Sequence, residues 1–119
     1  DLIHHCSKNL EEARDLLLRL SKQGIDFDAV VTSDDSLAVG AVKYAHAKGI
    51  SVPDQLSIVG YNNSLLSRCT DPEITSIDSR VETLCTTTVK TLMEVFSGES
   101  VPSRTTIASD LIKRNTTNF

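Results

Sequence analysis

Polar side chains follow two short apolar stretches of this chain. Asp34 and Asp35 come soon after a β-branched run that ends at Thr32, and Asn62 follows a second run that ends at Tyr61. Carboxylate oxygens accept hydrogen bonds and an amide both donates and accepts, which suits a ligand rich in hydroxyl groups. These residue types predict a polar binding site formed by Asp34, Asp35 and Asn62.

A structural interpretation of the same residues stays open. Asp34 and Asp35 precede a predicted helix, where a carboxylate caps free backbone amides and gains from the positive end of the helix dipole. Asn62 and Asn63 stand where a turn is expected, and Asn tolerates the left-handed backbone conformation that turns use. Capping and turn formation would account for these residues without any ligand.

The other reactive side chains form no pattern typical of catalysis or metal binding. The three histidines and three cysteines lack the spacing of zinc ligands. The chain also lacks the phosphate-binding loop, the dinucleotide-binding glycines and the nucleophile elbow. Paired carboxylates can hold Mg²⁺ in a phosphoacceptor domain, but Asn62 cannot accept a phosphoryl group there. We therefore expect no catalytic residue, no metal and no cofactor.

Composition limits the environment and the partners of this part of the protein. The 119 residues carry a net charge of −4, which disfavours an extended surface for nucleic-acid phosphates. Three widely spaced cysteines favour a reducing cytoplasm over a disulfide framework. No apolar run reaches the length of a bilayer-spanning helix, and the first residues do not resemble a signal peptide. We expect a cytoplasmic protein with no membrane partner.

Alternating periodicities predict how the polar residues are positioned. Apolar residues at helical spacing and short β-branched runs predict helices over 10–23, 37–49 and 81–98 and strands over 28–32, 56–61, 75–78, 105–108 and 111–114. The strand over 28–32 reads as buried, and Asn9 with Glu12 resembles a helix-capping box. Strands that alternate with helices predict an α/β fold, a parallel sheet with helices on both faces. Ligands meet such sheets at the carboxyl ends of strands, where Asp34 and Asn62 would lie.

Four segments follow one another in an order that matches a known family. Residues 28–41 combine a strand, an acidic pair and the sequence Ala-Val-Gly-Ala. Residues 52–63 are similar to V-P-x-D-[VIL]-S-[VI]-[VI]-G-[FY]-[DN]-[DN], 72–77 to P-x-[LI]-T-[TS]-[VI], and 111–117 to L-[VI]-x-R-x-[ST]-T. On these motifs the chain resembles the lactose-repressor/galactose-repressor (LacI/GalR) family of transcriptional regulators.

The resemblance implies a fold and a ligand. Family members have a type I periplasmic-binding-protein-like core of two subdomains, with a sugar effector in the cleft between them. Asp35 and Asn62 match positions that contact the ligand in the family, while Asp34 stands where Asn is usual. The run from Gly60 to Ser64 is similar to regulators of maltose or maltodextrin operons. A maltose-like effector is therefore the expectation.

The resemblance also implies a homodimer. Family dimers pair through the helix that follows Asp35 and the loop that follows Asn63. Carried onto this chain, the interface would contain Val39, Ala41, Val42, Ala45, Leu65, Leu66 and Cys69. Ordinary packing of the helix against the sheet is the alternative for its small residues.

Domain organisation follows from the same resemblance. Residues 1–119 are expected to be part of the effector-binding and dimerisation core, with 1–79 and 104–119 forming an incomplete carboxy-terminal subdomain. Residues 80–103 are expected to cross to an amino-terminal subdomain absent from this sequence, as is the helix-turn-helix that would bind operator DNA. A periplasmic-type sugar-binding transport protein of the same fold is the alternative function, and the unpaired cysteines favour the regulator.

Overall fold

The chain alternates helices with strands, as its periodicity predicts. A computed structural model describes residues 2–119. Its elements are α1 (Leu10–Lys22), β1 (Ala29–Val31), α2 (Asp35–Lys48), β2 (Ser57–Tyr61), the 3₁₀ helix η1 (Leu65–Arg68), β3 (Thr75–Asp78), α3 (Val81–Phe96) and β4 (Asp110–Ile112). The expected strand over 105–108 is wrong, because residues 101–109 form no regular structure and no described strand pairs with them.

The four strands form one sheet in the order β1-β2-β3-β4. β1 pairs with β2 and β2 with β3 in parallel, whereas β4 runs antiparallel to β3. The α/β class and the mostly parallel sheet are thus confirmed, with one antiparallel edge. Because β1 and β2 are parallel neighbours, their carboxyl ends lie side by side, as the predicted site requires.

The last residues of the chain are inserted beside the central strands. The backbone N–H of Ile58 donates to the carbonyl oxygen of Thr116 at 2.9 Å. The Thr116 hydroxyl donates to the Ile58 carbonyl at 2.6 Å and accepts from the backbone N–H of Thr75 at 2.9 Å. Thr116 is fully buried. One threonine therefore joins β2 to the start of β3.

A two-helix layer covers the sheet. α1 packs against α2, and α2 packs on β1 and β2. The shared core is aliphatic, with one aromatic pair at its margin between Phe27 and Tyr44. No helix in residues 2–119 is long and apolar enough to cross a bilayer.

The amino end of α1 differs in detail from the predicted capping box. The Asn9 side chain accepts from the backbone N–H groups of Glu11 and Glu12, as a cap does. The Glu12 carboxylate, however, accepts from the backbone N–H of Ser7 at 3.1 Å rather than from Asn9. The capping box is therefore only half correct: the acidic side chain reaches past the cap to the preceding turn.

β1 is more exposed than the sequence predicts, and α3 is also exposed. The sequence predicts a buried β1, but Val31 is 72% exposed. The expectation is wrong because β1 is an edge strand of the described sheet and pairs with β2 alone. α3 has no buried residue, although its apolar residues are as numerous as those of a core helix. Its threonine-rich run is accommodated, since the Thr88 hydroxyl donates to the Leu84 carbonyl one turn earlier.

Gly40 allows the two packed helices to approach closely. A Cβ atom at this position would lie 2.5 Å from the Leu10 carbonyl oxygen and 2.7 Å from the Ala13 Cβ. Glycine inside a helix ordinarily costs about 0.5–1 kcal/mol relative to alanine, so its presence here reflects the contact.

We expect Gly40→Ala to lower the free energy of unfolding by about 1–3 kcal/mol, because an added methyl group overpacks the α1–α2 contact. Urea unfolding followed by circular dichroism measures the change. Ala47→Gly, at an exposed site of the same helix, is the control and reports the intrinsic helix preference. A stabilised Gly40→Ala variant would mean that the helices separate at no cost.

Candidate functional site

Asp34 and Asn62 meet at the carboxyl edge of the sheet. The Asn62 side-chain amide donates to Asp34 Oδ2 at 3.2 Å, and Lys8 Nζ lies 3.2 Å from the same oxygen. The side chain of Lys8 is 71% exposed, and Asn62 is also exposed. An exposed amide and an exposed ammonium group thus meet at a carboxylate that is 19% exposed. This is the mixture of donors and acceptors that a polyhydroxylated ligand needs.

The two carboxylate oxygens of Asp34 have different hydrogen-bond partners. Oδ1 accepts from the Ser36 backbone N–H at 2.9 Å and from its hydroxyl at 2.7 Å, so Asp34 is the amino-terminal cap of α2. Oδ2 faces Asn62 and Lys8. The Ser36 hydroxyl chiefly, and Lys8 to a lesser degree, hold the pKa of Asp34 below its usual 3.8. The side chain is therefore an ionised acceptor at neutral pH that caps a helix and also faces outward.

Asp35 is placed differently from its sequence-based expectation. Its side chain is only 1% exposed. Oδ1 accepts from the Ser76 hydroxyl and Oδ2 from the Ser64 backbone N–H, each at 2.6 Å. The carboxylate lies over Gly60, where a Cβ atom would collide with Oδ1. Both oxygens thus bond within the protein, and Asp35 presents no acceptor to solvent.

The Asn62–Asn63 turn points its two amides in opposite directions. Both residues adopt positive φ angles, 92° and 48°, in the region where Asn is enriched among non-glycine residues. Asn62 extends outward to Asp34. Asn63 turns inward, where its amide donates to Asp78 Oδ2 at 3.0 Å and its backbone N–H donates to the Ser76 hydroxyl at 3.0 Å. The turn interpretation is correct, and it is also what exposes Asn62.

Asp78 supports this turn from β3. Its Oδ1 accepts from the backbone N–H of Arg80 at 2.7 Å, and its Oδ2 accepts from Asn63. The Arg80 N–H is the main cause, and the Asn63 amide the second, of a pKa of Asp78 below its ordinary value. The carboxylate therefore stays ionised at neutral pH and accepts from both neighbours.

Sequence reasoning missed Lys8, Ser76 and Arg114. Their contacts to Asp34, Asp35 and Asn63 span 26, 41 and 51 residues, so no local spacing reveals them. Ser76 and Arg114 lie inside two of the recognised motifs, which marked the positions without assigning a role. No motif and no periodic spacing in the sequence marked Lys8.

The predicted dimer residues fall into two groups. Leu65, Leu66 and Cys69 are exposed on and beside η1, and Val39 is half-buried. Ala41, Val42 and Ala45 are at most 3% exposed. These three belong to the core between α2, α1 and the sheet, so they are unavailable to a partner and the packing alternative holds for them.

Two further features bear on the chemistry of this edge. A cavity of about 420 Å³ lies between residues 2–6, α1 and β1, but its lining is largely apolar and excludes both Asp34 and Asn62. Within residues 2–119, no group of three or more His, Cys, Asp or Glu side chains is arranged to hold a metal ion. The polar edge at Asp34 and Asn62 is therefore the candidate site.

Comparisons with known proteins agree with this architecture. Residues 5–117 match the periplasmic binding protein-like domain family. An HTH-type transcriptional regulator of Lachnoclostridium phytofermentans is 53% identical over 119 residues, 100% of this chain and 36% of the relative. The HTH-type transcriptional regulator MalR of Streptomyces coelicolor is 32% identical over 118 residues, 98% of this chain and 34% of MalR. The crystal structure of the Lac repressor dimer bound to operator and the anti-inducer ONPF superimposes with a TM-score of 0.85 at 27% identity, covering 92% of this chain and 38% of that chain.

The fold and the position of the polar edge define a periplasmic binding protein-like domain, and the chain belongs to that family. Its relatives are LacI/GalR-type transcriptional regulators, which confirms the family predicted from the four motifs. The chain spans about a third of the length of the curated relatives it matches, 36% and 34% of the two named above.

The pKa of Asp34 tests the electrostatics of the site. Because that pKa is lowered, the carboxylate stabilises the folded state above pH 3.8, and the stabilisation is lost as pH falls through the lowered value. We expect Ser36→Ala to raise the pKa of Asp34 towards 3.8, since the main hydrogen bond to the carboxylate is removed. Carbon-detected NMR titration of the Asp34 carboxyl measures it.

Ser33→Ala is the matched control for this titration, because Ser33 is the exposed serine immediately before Asp34. It should leave the pKa of Asp34 unchanged. Equal shifts in the two variants would show that the Ser36 hydroxyl has no special effect.

Proposed function

We propose that this chain is the part of a sugar-responsive transcriptional regulator that binds the effector and contributes to dimerisation. The observation that supports the proposal most directly is the convergence of Asp34 Oδ2, the Asn62 amide and Lys8 at the exposed carboxyl edge of β1 and β2. Ligands of open parallel sheets bind at this edge.

The side chains suit the hydroxyl groups of a sugar. Asp34 Oδ2 accepts hydrogen bonds, Lys8 donates them, and the Asn62 amide does both. A sugar hydroxyl that takes the place of the Asn62–Asp34 bond can donate to the carboxylate and accept from the amide. In this proposal Asp34 and Asn62 contact the ligand, whereas Asp35 holds the edge beneath them.

The proposed effector is maltose or a maltodextrin-like sugar. Two observations support this finer assignment: the similarity of the run from Gly60 to Ser64 to regulators of maltose operons, and the relative whose name is MalR. Other disaccharides would meet the same hydrogen-bonding groups, so the assignment requires direct comparison among sugars.

Regulation of transcription is favoured over sugar transport. The named relatives are transcriptional regulators, whereas a transport-binding protein of the same fold would not act on DNA. The net charge of −4 disfavours an extended surface for phosphates on this part of the protein, so operator contact is assigned to a helix-turn-helix elsewhere in the full-length protein. The proposed location is the cytoplasm, and no catalytic step is assigned.

Residues 80–103 are proposed to belong with an amino-terminal subdomain. α3 makes up most of this segment, and its exposed apolar residues are Val81, Leu84, Val89, Leu92, Met93, Val95 and Phe96. Large contiguous apolar surfaces of this kind ordinarily mark a packing interface. Residues 2–79 and 104–119 would then form the carboxy-terminal subdomain that contains Asp34 and Asn62.

A homodimer is proposed to form through η1 and its surroundings. Leu65 and Leu66 are 68% and 43% exposed, and Cys69 is exposed beside them. Val39 lies half-buried on α2, which packs against η1. The structure of the related Lac repressor is described as a dimer, which supports this assembly.

Asp34→Ser in the full-length protein tests the ligand site. Serine is also a good helix cap, so the variant should keep the start of α2 while losing the oxygen that faces Asn62. We expect binding of maltose to weaken roughly 10- to 100-fold, because a hydrogen bond to a charged group contributes about 1.5–3 kcal/mol. Isothermal titration calorimetry measures affinity after a thermal-shift screen of maltose, maltodextrins and other disaccharides.

Asp26→Ser, at an exposed site away from the sheet edge, is the control and should bind as the wild type does. Asn62→Ala should repeat the loss. If the wild type binds a sugar and both edge variants bind it equally well, the site lies elsewhere; if it binds no sugar, the effector class is wrong.

Leu66→Glu tests the dimer surface. A carboxylate in an apolar contact is costly, so we expect at least a tenfold higher dimer dissociation constant in sedimentation velocity. Leu111→Glu, at a half-exposed position of β4, is the matched control. An unchanged dimer in the Leu66 variant would place the interface on another surface.

A further inference from the structure

The guanidinium of Arg114 donates three hydrogen bonds beside the candidate site. Its side chain is only 11% exposed. Nη1 donates to the Ile74 carbonyl at 2.7 Å and to the Ser67 hydroxyl at 3.1 Å, while Nη2 donates to Asn63 Oδ1 at 2.5 Å. Glu73 is its nearest carboxylate, 3.7 Å from Nε. One planar group therefore joins the turn after β2, η1 and the start of β3.

The bond to Asn63 holds the oxygen of that side-chain amide. Asn63 is held by Arg114 at its oxygen and by Asp78 at its nitrogen, so its amide has a single orientation that satisfies both partners. The adjacent Asn62 then projects outward to Asp34. Releasing the Asn63 oxygen removes one of the two side-chain bonds that fix this arrangement.

The bond to Ser67 extends the connection to η1. The Ser67 hydroxyl donates to the Ser64 carbonyl at 2.7 Å, and the Ser67 carbonyl accepts from the Ile74 N–H at 2.8 Å. Ser67 is fully buried under the exposed Leu65 and Leu66 of the same short helix. Hydrogen bonds thus run from the Asn62–Asn63 turn through Arg114 to the surface proposed for dimerisation.

Residues 114–116 are also held by bonds that do not involve the guanidinium. The backbone N–H of Arg114 already donates to the Thr75 hydroxyl, and Thr116 joins β2 to β3. Burying a charge is costly unless its bonds are satisfied, and here they are directed at the turn and at η1 rather than at the terminal segment. The rigid fork of an arginine fits three acceptors that an ammonium group cannot reach at once.

We propose that Arg114 is a positioning residue, which holds the Asn62–Asn63 turn in its ligand-binding form and couples that turn to η1. Ligand affinity and partner contact through η1 then change together. This inference rests on the proposed function, because the ligand and the dimer surface are those assigned above.

Arg114→Lys in the full-length protein tests the positioning role. Lysine keeps the charge but loses the fork, so we expect faster amide hydrogen exchange throughout residues 62–68 and unchanged exchange in α1. With maltose as the probe, affinity should fall about tenfold, as expected for loss of one hydrogen bond to a charged group. In an Asn63→Ala background the same substitution should have little further effect on affinity, since the two residues act in one path.

A double-mutant cycle separates positioning from general destabilisation. A merely structural Arg114 would change affinity equally in the presence and absence of the Asn63 side chain. Lys113→Gln removes a positive charge from the neighbouring exposed residue and is the control that should match the wild type. Additive effects, or unchanged exchange in residues 62–68, would overturn the proposal.

The coupling between ligand binding and the dimer surface at η1 is tested by a separate measurement. Maltose should change the dimer dissociation constant of the wild type by some factor, and dimerisation must change maltose affinity by the same factor. We expect Arg114→Lys to reduce that factor towards one. Ser67→Ala removes the hydroxyl that accepts from Arg114 and donates to the Ser64 carbonyl, and it should do the same if the lysine variant does not fold. A retained factor in Ser67→Ala would refute the coupling.

Failure of this inference is distinguishable from failure of the proposed function. If the wild type does not bind maltose, the effector assignment fails, while hydrogen exchange still decides whether Arg114 orders the turn. If the wild type binds maltose and the Arg114 variant binds it equally well, the ligand assignment stands and the positioning role is refuted.

Discussion

The buried carboxylate of Asp35 is the interaction on which the sheet edge depends. It joins the first turn of α2 to Ser76 of β3 and to the backbone of Ser64, and it fits only because Gly60 leaves room above β2. A buried carboxylate is costly unless its oxygens are bonded, and here each accepts a short hydrogen bond. Three elements are thereby fixed relative to one another by one side chain, and Asp34 is left facing outward.

Two pairs of consecutive residues, Asp34–Asp35 and Asn62–Asn63, point their side chains in different directions at this edge of the sheet. In each pair one side chain faces solvent, Asp34 or Asn62, while the next one, Asp35 or Asn63, bonds inside the protein. The helix cap at Asp34 and the left-handed turn at Asn62 and Asn63 cause the two side chains of each pair to point in different directions. The structural and the functional interpretations of these residues are therefore complementary, since the capping and turn geometry presents the outward pair.

Local pattern predicted local structure well and side-chain direction poorly. The helices, the first three strands and the meeting of Asp34 with Asn62 follow from periodicity and from the geometry of parallel strands. The inward turn of Asp35 depends on Ser76, 41 residues away, and the exposure of β1 depends on which strand lies beside it. Long-range pairing of this kind leaves no periodic signal. The sequence could therefore indicate that Asp34 and Asn62 meet, but not which way each neighbouring side chain points.

The site and α3 are connected through Asp78. One oxygen of this carboxylate holds the Asn63 amide and the other holds the backbone N–H of Arg80, at the point where the chain leaves β3 for α3. Most of the stability of a helix in a protein comes from packing of its apolar face, and α3 has no buried residue in this chain. α3 begins three residues beyond Asp78, whose carboxylate also supports the Asn62–Asn63 turn. A partner that packs against the apolar face of α3 therefore acts close to that turn.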